Sequence, residues 1–151
     1  MTCYEAAWSE IKAVFADSGE RDDILQQVCE ILERNIPHYD WVGYYYAIPA
    51  EHMLELGPFV GAPTDHTRIP YGKGICGQVA ESEATFMVPD VQAQDNYLSC
   101  SIHVRSEIVV PVMKLDEFVA QLDIDSHMVN PFTDEDTELL DRVCELSAHL
   151  F

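Results

Sequence analysis

The spacing of apolar residues predicts helices at both ends of the chain. Over residues 4–36 apolar positions recur about every 3.6 residues, the period of a helix with one buried face. The same period follows Thr133, whose hydroxyl and the acids after it are typical of a helix start. We therefore predict helices over 4–17, 22–36 and 133–150.

The middle of the chain changes to a pattern typical of strands. Residues 41–48, WVGYYYAI, are aromatic and β-branched, and a second strand is predicted over 52–61. A glycine turn precedes GICGQVAES, residues 74–82, which we predict to be a short helix. ATFMVP, residues 84–89, predicts a further strand, and EIVVPVMKL and EFVAQLDID predict a hairpin that turns around Lys114–Glu117.

The order of these elements, α-α-β-β-α-β-loop-β-β-α, indicates an α+β fold. Helices at both ends around consecutive antiparallel strands predict a central antiparallel sheet with helices on one face. A chain of 151 residues fits one domain, assigned to residues 1–151. The terminal helices could instead pair with a second copy, so homodimerisation stays open.

The charge balance narrows the class of partner. The chain has 27 acidic and 8 basic residues, a formal charge of −19, so we expect neither nucleic acid nor an anionic membrane as partner. It has no apolar run of about 18 residues, and its acidic N-terminus is unlike a signal peptide. Five cysteines without a secretion signal indicate a reducing, cytoplasmic location.

The hairpin carries three acids that the strand period brings together. Asp123 and Asp125 are two residues apart and point to one face, opposite Leu122 and Ile124. Glu107 opens the partner strand. Such a cluster favours a ligand ammonium or a cation such as Ca²⁺ or Mg²⁺. Alternatively, the acids end strands at a solvated edge.

Aromatic residues of the first strand are candidates for the walls of a pocket. Trp41, Tyr44 and Tyr45 could surround a ligand, since a cation binds well against a ring face. Ordinary core packing explains the same three residues.

Two of the five cysteines are candidate reactive thiols. If a helix begins after the glycine turn, its N-terminus and Lys73 lower the pKa of Cys76; the alternative is a small buried residue. Cys100 lies in a predicted loop, where His103 and Arg105 could favour a thiolate. The other three lie in predicted helices and are expected to be structural: Cys3, Cys29 and Cys144.

Metal and cofactor signatures are weak. His66, Cys76, Cys100 and His103 could hold a metal, but no standard Cys/His zinc spacing is present. The phosphate-loop pattern is also absent. We therefore expect no metal site and no bound cofactor.

The motifs WVGYYY, LGPFVGAP, RIPYGKGICGQVA, SEIVVPV and LDIDS…FTDED occur in this order over roughly residues 20–150. This arrangement resembles a GAF domain and is most similar to the free methionine-(R)-sulfoxide reductases. The resemblance implies a central antiparallel sheet with helices on one face and a ligand pocket on the other. It also implies reduction of free methionine-R-sulfoxide rather than of the oxidised residue within a protein.

The resemblance also implies roles for individual residues. Glu107, Asp123 and Asp125 match the carboxylates that bind the substrate, whose α-ammonium a peptide-linked residue lacks. Trp41 and Tyr45 match the pocket aromatics that would hold the methyl-sulfoxide end.

Cys100 matches the family's attacking cysteine, and Cys76 matches a partner for disulfide formation. A thioredoxin-like protein is then the implied reductant, with no bound cofactor.

The chain departs from this family at one redox position. Reductases of the family carry a third cysteine shortly before RIP, whereas this chain has GPFVGAPTDHTRIP with Asp65 or His66 near that place. Ala120 and Gln121 also replace the GV that is common before LDIDS. Only Cys76 is then left to resolve a sulfenic acid on Cys100. A non-catalytic GAF module that binds or senses a small amino compound is the alternative function.

Overall fold

The computed structural model describes residues 1–98 and 102–151, which form a six-stranded sheet and four α-helices. The helices are α1 (Cys3–Ala16), α2 (Arg21–Asn35), α3 (Gly74–Ser82) and α4 (Asp134–Ser147). The strands are β1 (Trp41–Ile48), β2 (Met53–Val60), β3 (Arg68–Pro70), β4 (Phe86–Val88), β5 (Ser106–Lys114) and β6 (Glu117–Ser126).

All neighbouring strands of the sheet are antiparallel, in the order β3-β2-β1-β6-β5-β4. The two central strands, β1 and β6, come from distant parts of the sequence. β5 and β6 form the predicted hairpin, whose pairing runs from Ser106 opposite Ser126 to Lys114 opposite Glu117. This register fixes which side chains of β6 face each side of the sheet.

One face of the sheet is covered by α2 and α4, and α1 packs against these two helices. Val42 and Tyr44 of β1 and Leu122 and Ile124 of β6 are buried against these helices. The opposite face carries a second apolar cluster beneath α3, which includes Trp41 and Tyr45. The predicted arrangement of α-helices on one face and a pocket on the other is confirmed, with α3 as the helix on the pocket side.

The start of α4 is held by a buried carboxylate that the sequence analysis did not single out. Asp136 is fully buried; its Oδ2 accepts a hydrogen bond from the Thr133 N–H, and its Oδ1 accepts one from the Tyr39 hydroxyl over 2.8 Å. His38 Nε2 lies 2.9 Å from the same Oδ1. Burial opposes the charge, but these hydrogen bonds hold the pKa of Asp136 below its usual value.

The elements differ from the sequence-based expectation in a few places. The helix predicted over 133–150 changes to a 3₁₀ turn after Ser147, and the short β3 was not predicted. Tyr44 as a pocket wall is wrong, because the two-residue period of β1 turns it to the helical face, where its hydroxyl bonds Ser147. No helix in the described residues is long and apolar enough to cross a membrane.

Candidate active site

The three acids predicted to converge do so on the pocket face of the sheet. Asp123 and Asp125 project from β6, and Glu107 lies directly opposite Asp125 on β5. Asp123 and Asp125 are each 2% exposed and Glu107 is 5% exposed. The alternative of a solvated strand edge is therefore wrong, because β6 is central in the sheet and α3 packs over this face.

α3 brings the thiol of Cys76 to these carboxylates. The chain enters the helix through Gly74, whose φ of 67° lies in the left-handed region that favours glycine. The Cys76 Sγ donates to Oδ2 of Asp123 at 3.3 Å and lies 3.9 Å from Oε2 of Glu107. The site thus combines one thiol with three buried acids from two strands.

Burial and mutual repulsion control the charge of this site. Burial raises the pKa of Asp123, although hydrogen bonds from Glu107 and Cys76 oppose the shift. Burial raises the pKa of Asp125 well above its usual value, and the charge of Asp123 adds to the effect. Asp123 and Asp125 therefore keep their protons to a higher pH than exposed carboxyls do.

The expected low pKa of Cys76 is corrected by this geometry. Burial raises the pKa of the thiol well above its usual value, and the charges of Asp123, Glu107 and Asp125 raise it further. The helix N-terminus exerts a modest, local effect, which burial beside three acids outweighs. This environment therefore favours the protonated form of the Cys76 thiol.

An aromatic wall borders the acids on the side of β1. The Trp41 ring stacks on Phe59 with ring centroids 5.5 Å apart and lies 6.4 Å from the Tyr45 ring. Gly43 makes this possible, because a Cβ at that position would collide with the Trp41 ring. Trp41 pairs across the strands with Asp125, so the wall and the carboxylates share one edge of the site.

Two neighbouring cavities open at the cluster. The larger, of about 150 Å³, includes Trp41 and Asp125 in its lining, together with Asp40, Ala62, Pro63, Thr64, His103, Val104 and His127. The smaller, of about 10 Å³, is lined in part by Cys76, Glu107 and Asp123. A wider depression of about 230 Å³ between α1 and α4 has neither a thiol nor one of these buried acids in its lining.

Several buried polar atoms of this face have no hydrogen-bond partner among residues 1–98 and 102–151. They are Oδ1 of Asp123, Oδ1 of Asp125 and both amide atoms of Gln121. Unpaired buried oxygens in a cavity wall are available to a ligand. Gln121 is fully buried but does not line either cavity.

Asn96, which the sequence analysis did not single out, links the segment before Cys100 to the turn that leads into α3. The side-chain oxygen of Asn96 accepts from the Gly74 N–H at 2.8 Å, and its amide donates to the Gly72 carbonyl at 2.9 Å. Asn and Gly in a polar segment are so common that no sequence pattern pointed to this contact. It fixes the chain shortly before Cys100.

Two sequence-based expectations concern the redox partners. Cys100 lies outside the described residues, so its predicted approach to Cys76 stays a prediction. His66, one of the two residues near the place of the family's third cysteine, lines the small cavity, and its carbonyl accepts a hydrogen bond from the Tyr45 hydroxyl at 2.9 Å.

Comparisons with known proteins assign the chain to a family. The GAF domain model matches residues 18–150. A free methionine-R-sulfoxide reductase of Escherichia coli (strain K12) is 32% identical over 114 residues, covering 76% of this chain and 67% of the relative.

Two solved structures are also similar. A free methionine-R-sulfoxide reductase from Neisseria meningitidis, in complex with its substrate, gives a TM-score of 0.92 at 32% identity, covering 98% of this chain and 87% of that chain. A type II free methionine-R-sulfoxide reductase from Thermoplasma acidophilum gives 0.82 at 37% identity, with coverage of 86% and 91%. The chain therefore belongs to the GAF-domain family and is a relative of the free methionine-R-sulfoxide reductases.

Proposed function

We propose that this chain reduces free methionine-R-sulfoxide to methionine by thiol chemistry. The observation that carries the proposal is the buried cluster of Glu107, Asp123 and Asp125 beside a cavity walled by Trp41. Similarity to free methionine-R-sulfoxide reductases, one of them in complex with its substrate, supports the same activity.

The carboxylate cluster selects a free amino acid. Three buried acids repel one another, and a cation among them relieves that repulsion. The α-ammonium of free methionine sulfoxide supplies this charge, whereas a methionine residue within a protein has no such group. Asp125 faces the cavity of about 150 Å³, which is small beside drug-binding pockets of roughly 300–1,000 Å³ and suits a ligand of few heavy atoms.

The aromatic wall receives the other end of the substrate. Trp41 and Tyr45 lie on the face of β1 that borders the cavity, and their rings are stacked with centroids 6.4 Å apart. A polarizable sulfur and its methyl group interact favourably with aromatic rings. The substrate therefore lies with its ammonium at Asp125 and its sulfoxide towards the aromatic side chains, Asp123 and Cys76.

The redox step uses Cys100 as the attacking thiol. Its sulfur attacks the sulfoxide sulfur, and the oxygen is transferred to the cysteine as a sulfenic acid. The sulfoxide is reduced by two electrons to the thioether of methionine, and the thiol is oxidised by the same two electrons. The thiol proton of Cys100 passes to solvent, and protonated Asp123 supplies the proton to the leaving oxygen, because its raised pKa keeps a proton available.

Cys76 then resolves the sulfenic acid. Its sulfur attacks the sulfur of Cys100, an S–S bond forms, and water leaves. The thiol proton of Cys76 passes to Oδ2 of Asp123, 3.3 Å away and ionised by the first step, and from there to the departing hydroxide, which leaves as water. Asp123 then regains a proton from solvent. A thioredoxin-like dithiol reduces the disulfide and restores both thiols, which suits the reducing cytoplasm.

A coupled assay tests this function. NADPH consumption is followed with thioredoxin, thioredoxin reductase and free methionine-R-sulfoxide. Turnover by the wild-type chain should be abolished by Cys100→Ser and kept by Cys144→Ser, whose thiol is buried on the opposite face. Cys76→Ser should release one methionine per chain and then stop. Full multiple turnover by Cys100→Ser would overturn the proposal.

The same protein preparation distinguishes the alternative function, a GAF module that binds an amino compound without catalysis. Calorimetric titration with methionine measures binding directly. Binding without any NADPH consumption would support the non-catalytic module.

A further inference from the structure

One thiol and two carboxylates in this site are arranged as ligands for a single ion. The Sγ of Cys76 and one carboxylate oxygen each from Glu107 and Asp123 lie within 4.8 Å of one another, and all three residues are buried. The three residues lie on α3, β5 and β6, so no motif along the sequence identifies the group. Within residues 1–98 and 102–151 this is the one group of three such donors.

We propose that Cys76, Glu107 and Asp123 bind one zinc ion reversibly, and that bound zinc blocks the site. The expectation of no metal rested on the absence of standard Cys/His zinc spacing from the sequence. This cluster is of another type, since strand pairing rather than local sequence assembles it. The inhibitory consequence rests on the proposed reductase function, whereas zinc binding itself does not.

The spacing of the donor atoms fits tetrahedral zinc. With Zn–S of about 2.3 Å and Zn–O of about 2.0 Å, neighbouring sulfur and oxygen ligands lie roughly 3.5 Å apart. The Sγ of Cys76 is 3.3 Å from Oδ2 of Asp123 and 3.9 Å from Oε2 of Glu107. Both sulfur–oxygen distances therefore lie within a few tenths of an ångström of the ideal one.

The cavity at these donors has the size of one ion. Its volume is about 10 Å³, close to the minimum for a single water molecule and far below that of an amino acid. Asp123, which is 2% exposed, lines this cavity, and its Oδ1 has no hydrogen-bond partner among the described residues. This buried, unsatisfied oxygen is an observation separate from the clustering, and it indicates that a ligand is accommodated there.

The donor set selects zinc over the common hard cations. Ca²⁺ takes six to eight oxygens and Mg²⁺ keeps an octahedral oxygen shell, whereas a thiolate favours zinc. Ionised Cys76, Glu107 and Asp123 carry three negative charges, of which a divalent ion offsets two. Zinc displaces the thiol proton and any proton on the two carboxyls to solvent, so no oxidation or reduction is involved. Three protein ligands leave a fourth position open, as in exchangeable zinc sites.

Zinc and substrate would compete for the same groups. Reduction requires Asp123 as the proton donor, the substrate ammonium requires the charge of the acidic cluster that includes Glu107, and resolution requires the thiol of Cys76. Zinc occupies all three, so it would lower turnover until a chelator removes it.

Zinc binding is measured by equilibrium dialysis and by competition with a chromophoric chelator. The untagged chain is used in a Cys100→Ser background, which removes that thiol and makes the result independent of turnover. We expect one zinc per chain, binding at least tenfold weaker after Cys76→Ser or Asp123→Asn, and unchanged binding after Cys144→Ser. Cobalt should give a thiolate charge-transfer absorption that disappears with Cys76→Ser. Circular dichroism checks that each variant folds.

The outcomes separate the two proposals. Absence of stoichiometric zinc binding, or binding retained after both Cys76→Ser and Asp123→Asn, overturns the zinc site. If the wild-type chain binds zinc but never consumes NADPH, the zinc site is supported and the reductase function is rejected. In active wild type, zinc should inhibit, methionine should weaken zinc binding, and a chelator should restore the rate.

Discussion

Asn96 and Gly74 are joined by a hydrogen bond from the backbone N–H of the glycine to the side-chain oxygen of the asparagine, 2.8 Å long. The same side chain donates to Gly72, so Asn96 closes the turn that leads into α3. Since α3 carries Cys76, this one exposed side chain connects the thiol's helix to the segment that precedes Cys100.

Asn96→Ala should lower kcat/KM about tenfold, because the loss of two hydrogen bonds of roughly 0.5–1.5 kcal/mol each loosens both segments. The coupled NADPH assay measures this. Gln92→Ala is the matched control, since Gln92 is an exposed amide of the same segment whose side chain makes none of the described hydrogen bonds. Equal activity in the two variants would contradict the anchoring role.

Asp125→Asn keeps the shape of the side chain and removes its charge. We expect KM for free methionine-R-sulfoxide to rise about 10- to 100-fold, the value of a lost charge-assisted hydrogen bond to the ammonium. N-acetylmethionine sulfoxide, which has no ammonium, should be a poor substrate for both proteins. Glu117→Gln removes an exposed charge from the same strand and should leave KM unchanged. An unaltered KM in Asp125→Asn would rule out this anchor.

Gly43→Ala places a methyl group where the Trp41 ring lies. The ring must leave its stack on Phe59, so we expect a loss of about 1–3 kcal/mol in the free energy of unfolding, together with a higher KM. Urea denaturation and the coupled assay measure the two effects. Gly19→Ala meets only ordinary contacts with Ile24 and should change stability by less than about 0.5 kcal/mol.

Gln121→Met should stabilise the protein. The amide of Gln121 is fully buried, and neither of its polar atoms has a partner in the described part of the chain. A methionine of similar shape removes an unsatisfied amide that costs about 1–3 kcal/mol. Thermal or urea denaturation should show that gain, whereas Gln27→Met on an exposed helical face should not. A stability loss in Gln121→Met would indicate that the amide is satisfied.

Asp136→Ala should cost about 3 kcal/mol near neutral pH, because it leaves the Tyr39 hydroxyl and the Thr133 N–H without their acceptor. Asp134→Ala, at an exposed position of the same helical turn, should cost much less. Since the folded-state pKa of Asp136 is lowered, its stabilisation is fully present above the unfolded pKa of about 4 and is lost as pH falls through the folded value. Urea denaturation at falling pH should show the stability of the wild type approaching that of Asp136→Ala.

The sequence predicted those parts of the site that depend on strand period alone. The alternation of Leu122, Asp123, Ile124 and Asp125 determines which side chains share a face, and the structure agrees. The same rule, applied strictly, would have excluded Tyr44 from the pocket.

Properties that depend on distant elements could not be predicted. The local sequence around Cys76 contains a helix N-terminus and a lysine, which both favour a thiolate, but the decisive neighbours come from β5 and β6. The cap at Asp136 likewise depends on Tyr39, 97 residues away. β3 was missed because three residues are too few to show a period.

Because β6 is central in the sheet, its register determines both the packing of the core and the position of the acids proposed to bind the ligand. Leu122 and Ile124 complete the apolar core on one side of this strand, while Asp123 and Asp125 form the cluster on the other. A slip by one residue would exchange the two sets, pressing both carboxylates into hydrocarbon and presenting aliphatic side chains to the ligand. A misaligned hairpin would therefore lose both its packing against the helices and its affinity for the ligand. Binding of an amino acid would then report directly on strand register.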